Sequence, residues 1–412
     1  MTSPDLKSHV SQPIKAYLGF DPTSDSLHLG NLIGIVALCW FQKCGHTPYA
    51  LIGGSTGRIG DPSGKSSERP FLSEQDLSHN VSSLTRFLQK ILHYSGGHKP
   101  VVLNNDDWLR KFTLIDFLRD VGKHFRIGPM LAKESVRARL ESEDGMSFTE
   151  FSYQLLQGYD FHYLNQHFGV SLQLGGSDQW GNITAGTEFN RKVKGDQIFG
   201  LTWPLLTRSD GKKFGKSEEG AIWLSAEKLS PYRFYQYLFS VPDADVIKLM
   251  KMLTFMDMAE IRAFEQAMGQ VDYEPNSAQK KLAEEVTRFV HGEEGLFAAL
   301  RVTAGIQPGA EAKLSSEVLK EIAADMPHAS LPYEEVVGKK FVDISVKIGL
   351  IPSKSEGVRL VKNGGAYLNN ERIDDPAFEI NQGHLIDGVY LLLSSGKKKK
   401  MLIEIESSKN LI

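Results

Sequence analysis

Residues 19–31 combine polar side chains with glycine in a way that could bind phosphate. The segment ends in His28-Leu29-Gly30-Asn31, where a strand gives way to a helix. The first turn of a helix presents unpaired backbone N–H groups, which bind phosphate. Gly30 has no side chain to keep a ligand from the backbone. An ordinary capped helix start would explain the same residues.

A second segment, Arg208-Ser-Asp-Gly-Lys-Lys-Phe-Gly-Lys-Ser217, carries three lysines, two glycines and hydroxyl groups. Such a cationic loop suits a polyphosphate whose charge changes during a reaction. On its own, the segment is more typical of a solvated surface loop. It is a candidate phosphate site only in combination with the other segments.

Two further segments could form a small polar pocket. Tyr153, Gln157 and Asp160 fall at positions i, i+4 and i+7 of a predicted helix, so they share one face. A solvent-facing stripe is the alternative, but the apolar residues around them favour a pocket. Asp178 and Gln179 follow a predicted strand and a glycine turn, where an acidic residue often binds ribose hydroxyls.

The elements that must position these residues alternate between strands and helices from about residue 14 to 210, which predicts an α/β fold with a mainly parallel sheet. The predicted strands are Ile14–Phe20, Tyr49–Ile52, Val101–Leu103 and Ser171–Leu174, and the predicted helices include Leu29–Lys43 and Ser73–Tyr94. Ligands of such folds lie at the carboxyl ends of the strands. The glycine-rich segments follow these strands, as that rule requires.

The chain of 412 residues is too long for a single core. The pattern of elements predicts an α/β domain over 1–224, an α-helical domain over 225–326, a linker over 327–340 and a small α+β domain over 341–412. The formal charge of -3 means that any nucleic-acid contact must come from a local patch. Two cysteines without a metal or disulfide pattern, and neither a signal sequence nor a membrane span, predict a cytoplasmic protein.

Together, in this order and spacing, the four segments closely resemble the bacterial tyrosyl-tRNA synthetases, which are class I aminoacyl-tRNA synthetases. His28-Leu29-Gly30-Asn31 looks like the HxGH signature, and Lys213-Phe-Gly-Lys-Ser217 looks like this family's form of the KMSKS loop. The resemblance covers essentially the whole chain. It implies a homodimeric tyrosine–tRNA ligase that activates L-tyrosine with ATP and transfers it to the 3′ end of tRNA(Tyr). It also implies that the α/β domain is a Rossmann-type catalytic domain with a parallel sheet, and that the small α+β domain binds RNA.

The resemblance also implies the residues of the site. Tyrosine would be bound at its hydroxyl by Tyr17 and Asp160, at its ammonium group by Asp61, Tyr153 and Gln157, and near its carboxylate by Gln179. ATP would be bound by Asp21, Gly30, Asn31, Gly176 and Asp178, and its phosphates by Thr23, His28, Lys65, Arg69, Lys213, Lys216 and Ser217. An ionised carboxylate needs no general base to attack phosphorus, so alignment and charge stabilisation are enough. Mg²⁺ would arrive with ATP, and no protein metal site is expected.

Two residues depart from the family pattern. Asn31 stands where the HxGH signature ends in histidine, and asparagine can still donate a hydrogen bond. Leu18 stands where many relatives have a cysteine that contacts ribose. Because leucine cannot form that hydrogen bond, we expect slightly weaker nucleotide binding.

The C-terminal piece resembles the RNA-binding domain shared by ribosomal small-subunit protein four and pseudouridine synthases. Its acidic and basic residues nearly balance, so only a patch could bind phosphate. The candidates for binding tRNA are Lys354, Arg359, Lys362 and the run Lys397–Lys400, although a solubilising tail would also explain the run.

Three other functions share parts of this pattern. The sister tryptophanyl enzyme shares the ATP machinery, and only the amino-acid pocket separates the two. A non-catalytic RNA-binding protein would not need the intact lysine loop and pocket. An adenylating enzyme with another acceptor would leave the C-terminal domain without a role. A pocket that hydrogen-bonds the substrate hydroxyl rejects phenylalanine strongly, and tyrosyl-tRNA synthetase is the standard example. No editing domain is therefore expected.

The apolar stretch 112–125 is a candidate dimer interface.

Overall fold

The computed structural model of the chain describes residues 4–63, 71–92, 98–143, 145–209, 211, 214–217, 220–306, 314, 316–323, 326–396 and 399–406. The chain divides into two compact units. The first comprises Met1–Leu229 and Val241–Leu282, and the second comprises Ser230–Ser240 and Ala283–Ile412. The predicted helical domain 225–326 is therefore divided between the units.

The described α-helices range in length from the four residues of Asp106–Leu109 to the 29 residues of Ser277–Gly305. They are α1 (Pro4–His9), α2 (Leu29–Lys43), α3 (Glu74–Leu92), α4 (Asp106–Leu109), α5 (Leu114–Asp120), α6 (Ile127–Leu131), α7 (Glu134–Leu140), α8 (Phe148–Phe168), α9 (Trp180–Lys194), α10 (Pro231–Phe239), α11 (Asp243–Leu253), α12 (Met258–Ala267), α13 (Ser277–Gly305), α14 (Ser316–Ala323), α15 (Phe341–Lys347) and α16 (Lys354–Lys362). Gly292 interrupts α13 with φ of 75°. None of the described helices is both long and apolar enough to cross a membrane.

The first unit is built on a parallel sheet of five strands. They are β1 (Lys15–Phe20), β2 (Thr47–Ile52), β3 (Val101–Asn104), β4 (Leu172–Gly176) and β5 (Phe199–Trp203), in the order β3-β2-β1-β4-β5. A short hairpin of β6 (Lys216–Ser217) and β7 (Gly220–Ala221) follows. The predicted α/β class with a parallel sheet is confirmed, and the predicted helix Leu29–Lys43 has the bounds of α2. Strand β5 was not predicted, although its large apolar residues Phe199, Leu201 and Trp203 alternate with Gly200 and Thr202 as in a strand.

The strand order creates a crevice beside β1. In successive steps the chain adds β2 and β3 on one side of β1, and then β4 and β5 on the other. Loops that follow β1 and β4 therefore diverge at the carboxyl edge of the sheet, where ligands bind in such folds. Tyr17 on β1 lies opposite Gln173 on β4, which brings the two glycine-rich segments together.

Helices α8 and α9 pack closely because both carry glycine at their contact. A Cβ built on Gly158 would lie 2.9 Å from the Phe125 ring and 3.6 Å from the Gly186 nitrogen. A Cβ on Gly186 would lie 3.0 Å from Phe161.

Ser147 caps the first turn of α8, where its side chain accepts a hydrogen bond from the Glu150 nitrogen.

The second unit contains a five-stranded mixed sheet. Its strands are β8 (His328–Leu331), β10 (Ala366–Leu368), β11 (Glu371–Arg372), β13 (Tyr390–Ser395) and β14 (Lys399–Ile405), and β9 (Lys339–Lys340) pairs separately with β12 (Glu379–Ile380). Alternate residues of β13 enter two hydrophobic cores. Leu391 and Leu393 join the core that includes α15, whereas Tyr390 and Leu392 join the core that includes the end of α13.

Part of the predicted linker 327–340 forms strands in this structure. Its residues 328–331 form β8, which pairs in parallel with β14, and residues 339–340 form β9. Pro332 and Gly338 indicated a linker, but they lie between short strands. The strand partners of these residues are distant in sequence, so local composition could not identify them.

A buried ion pair joins α7 to α8. The Arg139 guanidinium donates two hydrogen bonds of 2.9 Å to the Glu150 carboxylate, and both side chains are at most 3% exposed. Glu150 lies on the face of α8 that carries Tyr153, Gln157 and Asp160, since the spacings are 3, 7 and 10 residues. The pair therefore fixes the first turn of the helix that lines the predicted pocket.

We expect Glu150→Ala to lower the free energy of unfolding by about 3–5 kcal/mol, because it removes the carboxylate that accepts two hydrogen bonds from the buried Arg139 guanidinium. Replacing both residues by apolar ones, as Arg139→Met with Glu150→Leu, should cost less than the single change. Urea denaturation measures both. A loss below about 1 kcal/mol for Glu150→Ala would contradict the assignment of this pair as a buried charge pair.

Candidate active site

A cavity of about 470 Å³ opens at the carboxyl ends of β1 and β4. Most of the residues predicted from the sequence for tyrosine and ATP line it: Tyr17, Asp21, Thr23, His28, Gly30, Asn31, Asp61, Tyr153, Gln157, Asp160, Gly176, Asp178 and Gln179. These residues come from segments more than 150 positions apart. The fold thus gathers the predicted pocket residues at a single site.

The inner end of the cavity holds a phenol and a carboxylate. Tyr17 is 1% exposed, and its hydroxyl has no hydrogen-bond partner among the described residues. The Asp160 carboxylate, 2% exposed, accepts hydrogen bonds from Asn105 Nδ2 at 2.9 Å and from Trp108 Nε1 at 2.7 Å. This end of the cavity therefore has a hydroxyl donor and a carboxylate acceptor available to a ligand.

Burial changes the protonation of both groups. Burial raises the pKa of Asp160 to about 7, against the opposing effect of the hydrogen bonds from Asn105 and Trp108. Burial, and then the negative charge of Asp160, raises the pKa of Tyr17 well above its usual value. At neutral pH the Tyr17 phenol is thus protonated and can donate a hydrogen bond. The pH is then close to the pKa of Asp160, so its carboxyl group is partly ionised.

A polar chain connects the inner end to the mouth of the cavity. Asn105 Nδ2 also donates to Thr56 Oγ1 at 3.0 Å, and Thr56 Oγ1 donates to Asp21 Oδ1 at 2.8 Å. The Tyr153 hydroxyl donates to Asp21 Oδ2 at 2.8 Å. A Cβ on Gly53 would lie 2.0 Å from Asp21 Oδ1, so only glycine fits where β2 ends.

Sequence reasoning missed the supporting residues Thr56, Asn105 and Trp108. Asn105 follows β3 directly, and Trp108 lies in the short helix α4 that comes next. The rule that ligands bind at the carboxyl ends of parallel strands could have found Asn105, as it found the segments after β1 and β4. No sequence signal pairs Trp108 with Asp160, because their contact depends on the packing of α4 and α8.

A second cluster lies around Asp61. Gln179 Nε2 donates to Asp61 Oδ2 at 2.6 Å, and Asn182 Nδ2 donates to Asp61 Oδ1 at 3.2 Å. Gln157 Nε2 donates to Gln179 Oε1 at 3.3 Å, and Gln157 Oε1 is buried with no partner among the described residues. The cluster offers a carboxylate and an amide oxygen, which are suitable acceptors for a ligand ammonium group. Asn182 was not predicted.

His28 and Asn31 form the N-terminal cap of α2. His28 Nδ1 accepts from the Gly30 nitrogen at 3.1 Å, and Asn31 Oδ1 accepts from the His28 nitrogen at 3.1 Å. The capped helix start and the phosphate-site interpretation are therefore compatible, because these residues both cap the helix and line the cavity. Asn31 retains its amide N–H₂ for other partners.

The lysine-containing segment packs against this helix start. Gly215 has φ of 86°, and a Cβ there would lie 2.9 Å from the Gly30 nitrogen. The Phe214 side chain is 5% exposed, and both Phe214 and Gly215 line the cavity. The backbone of Lys216 and Ser217 continues from Gly215 as β6. Lys65, Arg69 and Lys213 lie outside the described residues.

Leu18 and Gly34 contact each other at the wall of the cavity, which both residues line. A Cβ on Gly34 would lie 2.4 Å from Leu18 Cδ2. Asp178 stands at the mouth, and a Cβ on Gly176 would lie 2.5 Å from its Oδ1. Leucine at position 18 is thus a packing residue of α2 and β1.

The basic candidates of the second unit differ in their surroundings. Arg359 and Lys362 are exposed on α16. Lys354 is also exposed but forms an ion pair of 2.6 Å with Asp343. Lys400 is half-buried on β14, and burial lowers its pKa to about 8. Lys397 and Lys398 lie outside the described residues. Arg359 and Lys362 are the better placed phosphate-binding candidates.

Comparison with known proteins gives consistent matches over the chain. Residues 9–306 match the family of tRNA synthetases class I (W and Y), and residues 318–403 match the tyrosine–tRNA ligase SYY-like C-terminal domain. A tyrosine–tRNA ligase of Protochlamydia amoebophila (strain UWE25) is 55% identical over 406 residues, which cover 98% of this chain and 96% of the relative. The chloroplastic/mitochondrial tyrosine–tRNA ligase of Arabidopsis thaliana is 54% identical over 413 residues, 98% of this chain and 81% of the relative.

A solved structure agrees with the fold. The C-terminally truncated mitochondrial tyrosyl-tRNA synthetase of Aspergillus nidulans superposes with a TM-score of 0.62 at 32% identity, covering 72% of this chain and 88% of that one. The parallel sheet, the cavity at its switch point and these matches define a class I aminoacyl-tRNA synthetase. Within that class the chain belongs to the tyrosine–tRNA ligase family, and it is an enzyme.

We expect the preference for tyrosine over phenylalanine in kcat/KM to fall about tenfold between pH 8 and pH 6. A carboxyl group with a pKa of about 7 is largely ionised at pH 8 and largely protonated at pH 6. Only the carboxylate form of Asp160 is a full acceptor for a substrate phenol, and kcat/KM reports the free enzyme. Pyrophosphate exchange with both amino acids across this range measures the effect.

The control for this titration is Asp160→Asn, which should give a low preference with no such pH dependence.

The free energy of unfolding should fall with rising pH, whereas the preference for tyrosine rises. The folded chain binds this proton more tightly than the unfolded chain, so ionisation of Asp160 lowers stability as pH rises from about 4 to about 7. A preference that stays constant from pH 6 to pH 8 would contradict this assignment.

Proposed function

We propose that the cavity binds L-tyrosine with its phenol at the inner end, between Tyr17 and Asp160. The observation that carries this proposal is the buried Tyr17 hydroxyl beside a buried carboxylate that accepts only from Asn105 and Trp108 among the described residues. A phenol can accept from Tyr17 and donate to Asp160, so it satisfies both groups. An indole N–H only donates and would leave the Tyr17 hydroxyl without an acceptor, which disfavours tryptophan.

The ammonium group of tyrosine is then bound by Asp61, Tyr153 and Gln157. The Asp61 carboxylate supplies the opposite charge, and the free oxygen of Gln157 supplies an acceptor. Gln179, which hydrogen-bonds both Asp61 and Gln157, lies where it can contact the substrate carboxylate. The two ends of the substrate are held by separate clusters, so their distance selects an amino acid of the right length.

ATP binds on the side of the cavity formed by the segments after β1 and β4. Asp21, Gly176 and Asp178 contact the adenosine, and Gly30 and Asn31 at the start of α2 face the phosphates. Thr23 and His28 bind the γ-phosphate, together with Lys65, Arg69, Lys213, Lys216 and Ser217. The position of His28 at a helix N-terminus supports this orientation. Mg²⁺ enters with the ATP phosphates, which it partly neutralises.

The reaction takes place in two steps. A carboxylate oxygen of tyrosine attacks the α-phosphorus of ATP, the bond from that phosphorus to the β-phosphate oxygen breaks, and pyrophosphate leaves. A ribose hydroxyl at the 3′ end of tRNA(Tyr) then attacks the carbonyl carbon of the adenylate, and AMP leaves with the proton released to solvent. In the first step the nucleophile is already ionised, so the enzyme contributes alignment and cationic stabilisation of the phosphates.

The test is ATP–pyrophosphate exchange with each of the twenty amino acids and no tRNA. We expect exchange with tyrosine and at least about 10⁴-fold lower kcat/KM with phenylalanine, since the latter leaves both buried polar groups unpaired. Exchange with tryptophan would keep the fold and overturn the pocket assignment. Exchange with no amino acid would favour a non-catalytic RNA-binding role. Exchange with tyrosine but no charging of tRNA would favour another acceptor.

The second unit binds tRNA through exposed cations of α16. Arg359 and Lys362 lie three residues apart on one face, and both are exposed, whereas Lys354 is already paired with Asp343. Phosphate contacts of this kind release counterions from the RNA, so binding weakens as salt increases. Lys354 therefore contributes less than the other two.

The variant Arg359→Ala with Lys362→Ala should raise the KM for tRNA and leave pyrophosphate exchange unchanged. The slope of log KM against log salt concentration should become shallower by about 1–2 units, since two phosphate contacts are lost. Lys347→Ala is the matched control, because that exposed lysine of the same unit is already paired with Glu335. Equal salt slopes for the double variant and the control would remove α16 from the tRNA contact.

The chain forms a homodimer through the apolar surface of α5. Leu114 and Ile115 are 71% and 70% exposed, and Leu118 on the same helix is 43% exposed. Adjacent large apolar side chains at this exposure are typical of an interface. Sedimentation of the full chain should give a dimer that Ile115→Glu converts to monomer, and a wild-type monomer at micromolar concentration would exclude this surface as a stable interface.

We place the enzyme in the cytoplasm. Cys39 and Cys44, the two cysteines of the sequence, are not joined in a disulfide, as expected in a reducing compartment. Cell fractionation tests this location, and recovery of the protein only with an organelle would contradict it.

A further inference from the structure

Two sets of contacts within the first unit hold the two ends of the lysine-containing segment, residues 208–217. At its far end the Phe214 nitrogen donates to the Leu206 carbonyl oxygen at 2.9 Å, and the Phe214 side chain is buried. The Gly215 carbonyl oxygen accepts from the Ile222 nitrogen at 3.0 Å. These contacts fix the end of the segment that leads to Lys216.

The near end of the segment is held by α11. The Asp245 carboxylate accepts hydrogen bonds from the Ser209 nitrogen, at 2.9 Å to Oδ1 and 3.1 Å to Oδ2. Asp245 Oδ2 also accepts from Ser209 Oγ at 3.2 Å, and Lys248 Nζ donates to the Thr207 carbonyl oxygen at 3.1 Å. Two side chains one turn apart on α11 thus bind the backbone at Thr207 and Ser209, on either side of Arg208.

An acidic residue in the first turn of a helix has a common explanation, which is a favourable interaction with the helix dipole. That explanation does not require burial, and Asp245 is 4% exposed. Both carboxylate oxygens instead accept hydrogen bonds from Ser209. A buried carboxylate needs such donors, so the contact with Ser209 is part of what allows the charge to be buried.

We propose that Asp245 is a positioning residue for adenylate formation, which anchors the start of the lysine segment so that its cations stay aligned with the ATP phosphates. This inference rests on the proposed function, in which Lys213 and Lys216 bind those phosphates. Asp245 touches neither substrate. It acts through Ser209, so α11 anchors the start of the segment, while Leu206 and Ile222 hold its end.

Loss of the anchor should act on kcat more than on tyrosine binding. Without it, the near end of the segment has more conformations, and the fraction of molecules with aligned lysines falls. The lysines stabilise charge that develops in the transition state, so the rate of adenylate formation falls with that fraction. Tyrosine binds at the other end of the cavity, so its KM should not change.

The experiment compares Asp245→Ala and Asp245→Asn with the control Asp243→Asn. Asparagine at position 245 keeps one acceptor oxygen, so its effect should be intermediate. Asp243 is the matched control because it lies two residues away on the same helix, and its carboxylate accepts from Gln279 instead of from the lysine segment. The readouts are pyrophosphate exchange and the rate of tryptic cleavage after Arg208, Lys212 and Lys213, with fragments identified by mass.

We expect Asp245→Ala to lower kcat of exchange at least tenfold, to change the KM for tyrosine less than twofold, and to speed cleavage in the segment severalfold. Asp243→Asn should match the wild type in each readout. The proposal is overturned if Asp245→Asn and Asp243→Asn agree within twofold in both kcat and cleavage rate. It is also overturned if KM for tyrosine rises in step with the fall in kcat, since that indicates general damage to the unit.

The two readouts separate this proposal from the proposed function. Wild-type protein without tyrosine-dependent exchange would contradict the proposed function, while faster cleavage in the Asp245 variants would still support the anchor. If Asp245→Ala does not fold, the asparagine variant alone decides, because it removes one acceptor at nearly the same volume.

Discussion

The site depends on the order in which the chain builds its parallel sheet. Because β2 and β3 lie on one side of β1 and β4 and β5 on the other, the loops after β1 and β4 separate and leave a crevice between them. Residues 21–31 and 175–182 face each other across it. The helix α8 closes one wall with Tyr153, Gln157 and Asp160, and close packing against α9 through paired glycines fixes its position.

Within that crevice, the Asp160 carboxylate is the group whose burial costs free energy, because it is removed from water. It has no cation among its described partners, and two neutral donors, Asn105 and Trp108, offset only part of the cost of burial. An apolar side chain in place of the Asp160 carboxylate would avoid this cost of burial. The carboxylate is explained if a ligand supplies the hydrogen-bond donor that it lacks. The Tyr17 hydroxyl, which has no partner among the described residues, is explained in the same way if a ligand supplies an acceptor. The two together make the inner end of the cavity selective for a group that both accepts and donates.

The sequence allowed the sheet, α2 and most of the pocket to be predicted, because these features depend on local signals. Periodicity marks strands and helices, and glycines mark the turns after them. The family resemblance supplied the roles. Asn105, Trp108 and Asn182 were missed because each binds a predicted residue through a contact between distant segments. Strand β8 was taken for a linker for a similar reason, since its pairing partner, β14, lies about 70 residues further along the chain.

The contact between Leu18 and Gly34 has a consequence for how the sequence can change over evolutionary time. Leucine at position 18 occupies the volume that any side chain at position 34 would need. The atom in the way is the end of a flexible side chain, so alanine at position 34 requires either another rotamer of Leu18 or a smaller residue at position 18. A return to leucine after both changes would again need that other rotamer. We therefore expect the residues at positions 18 and 34 to vary together in size.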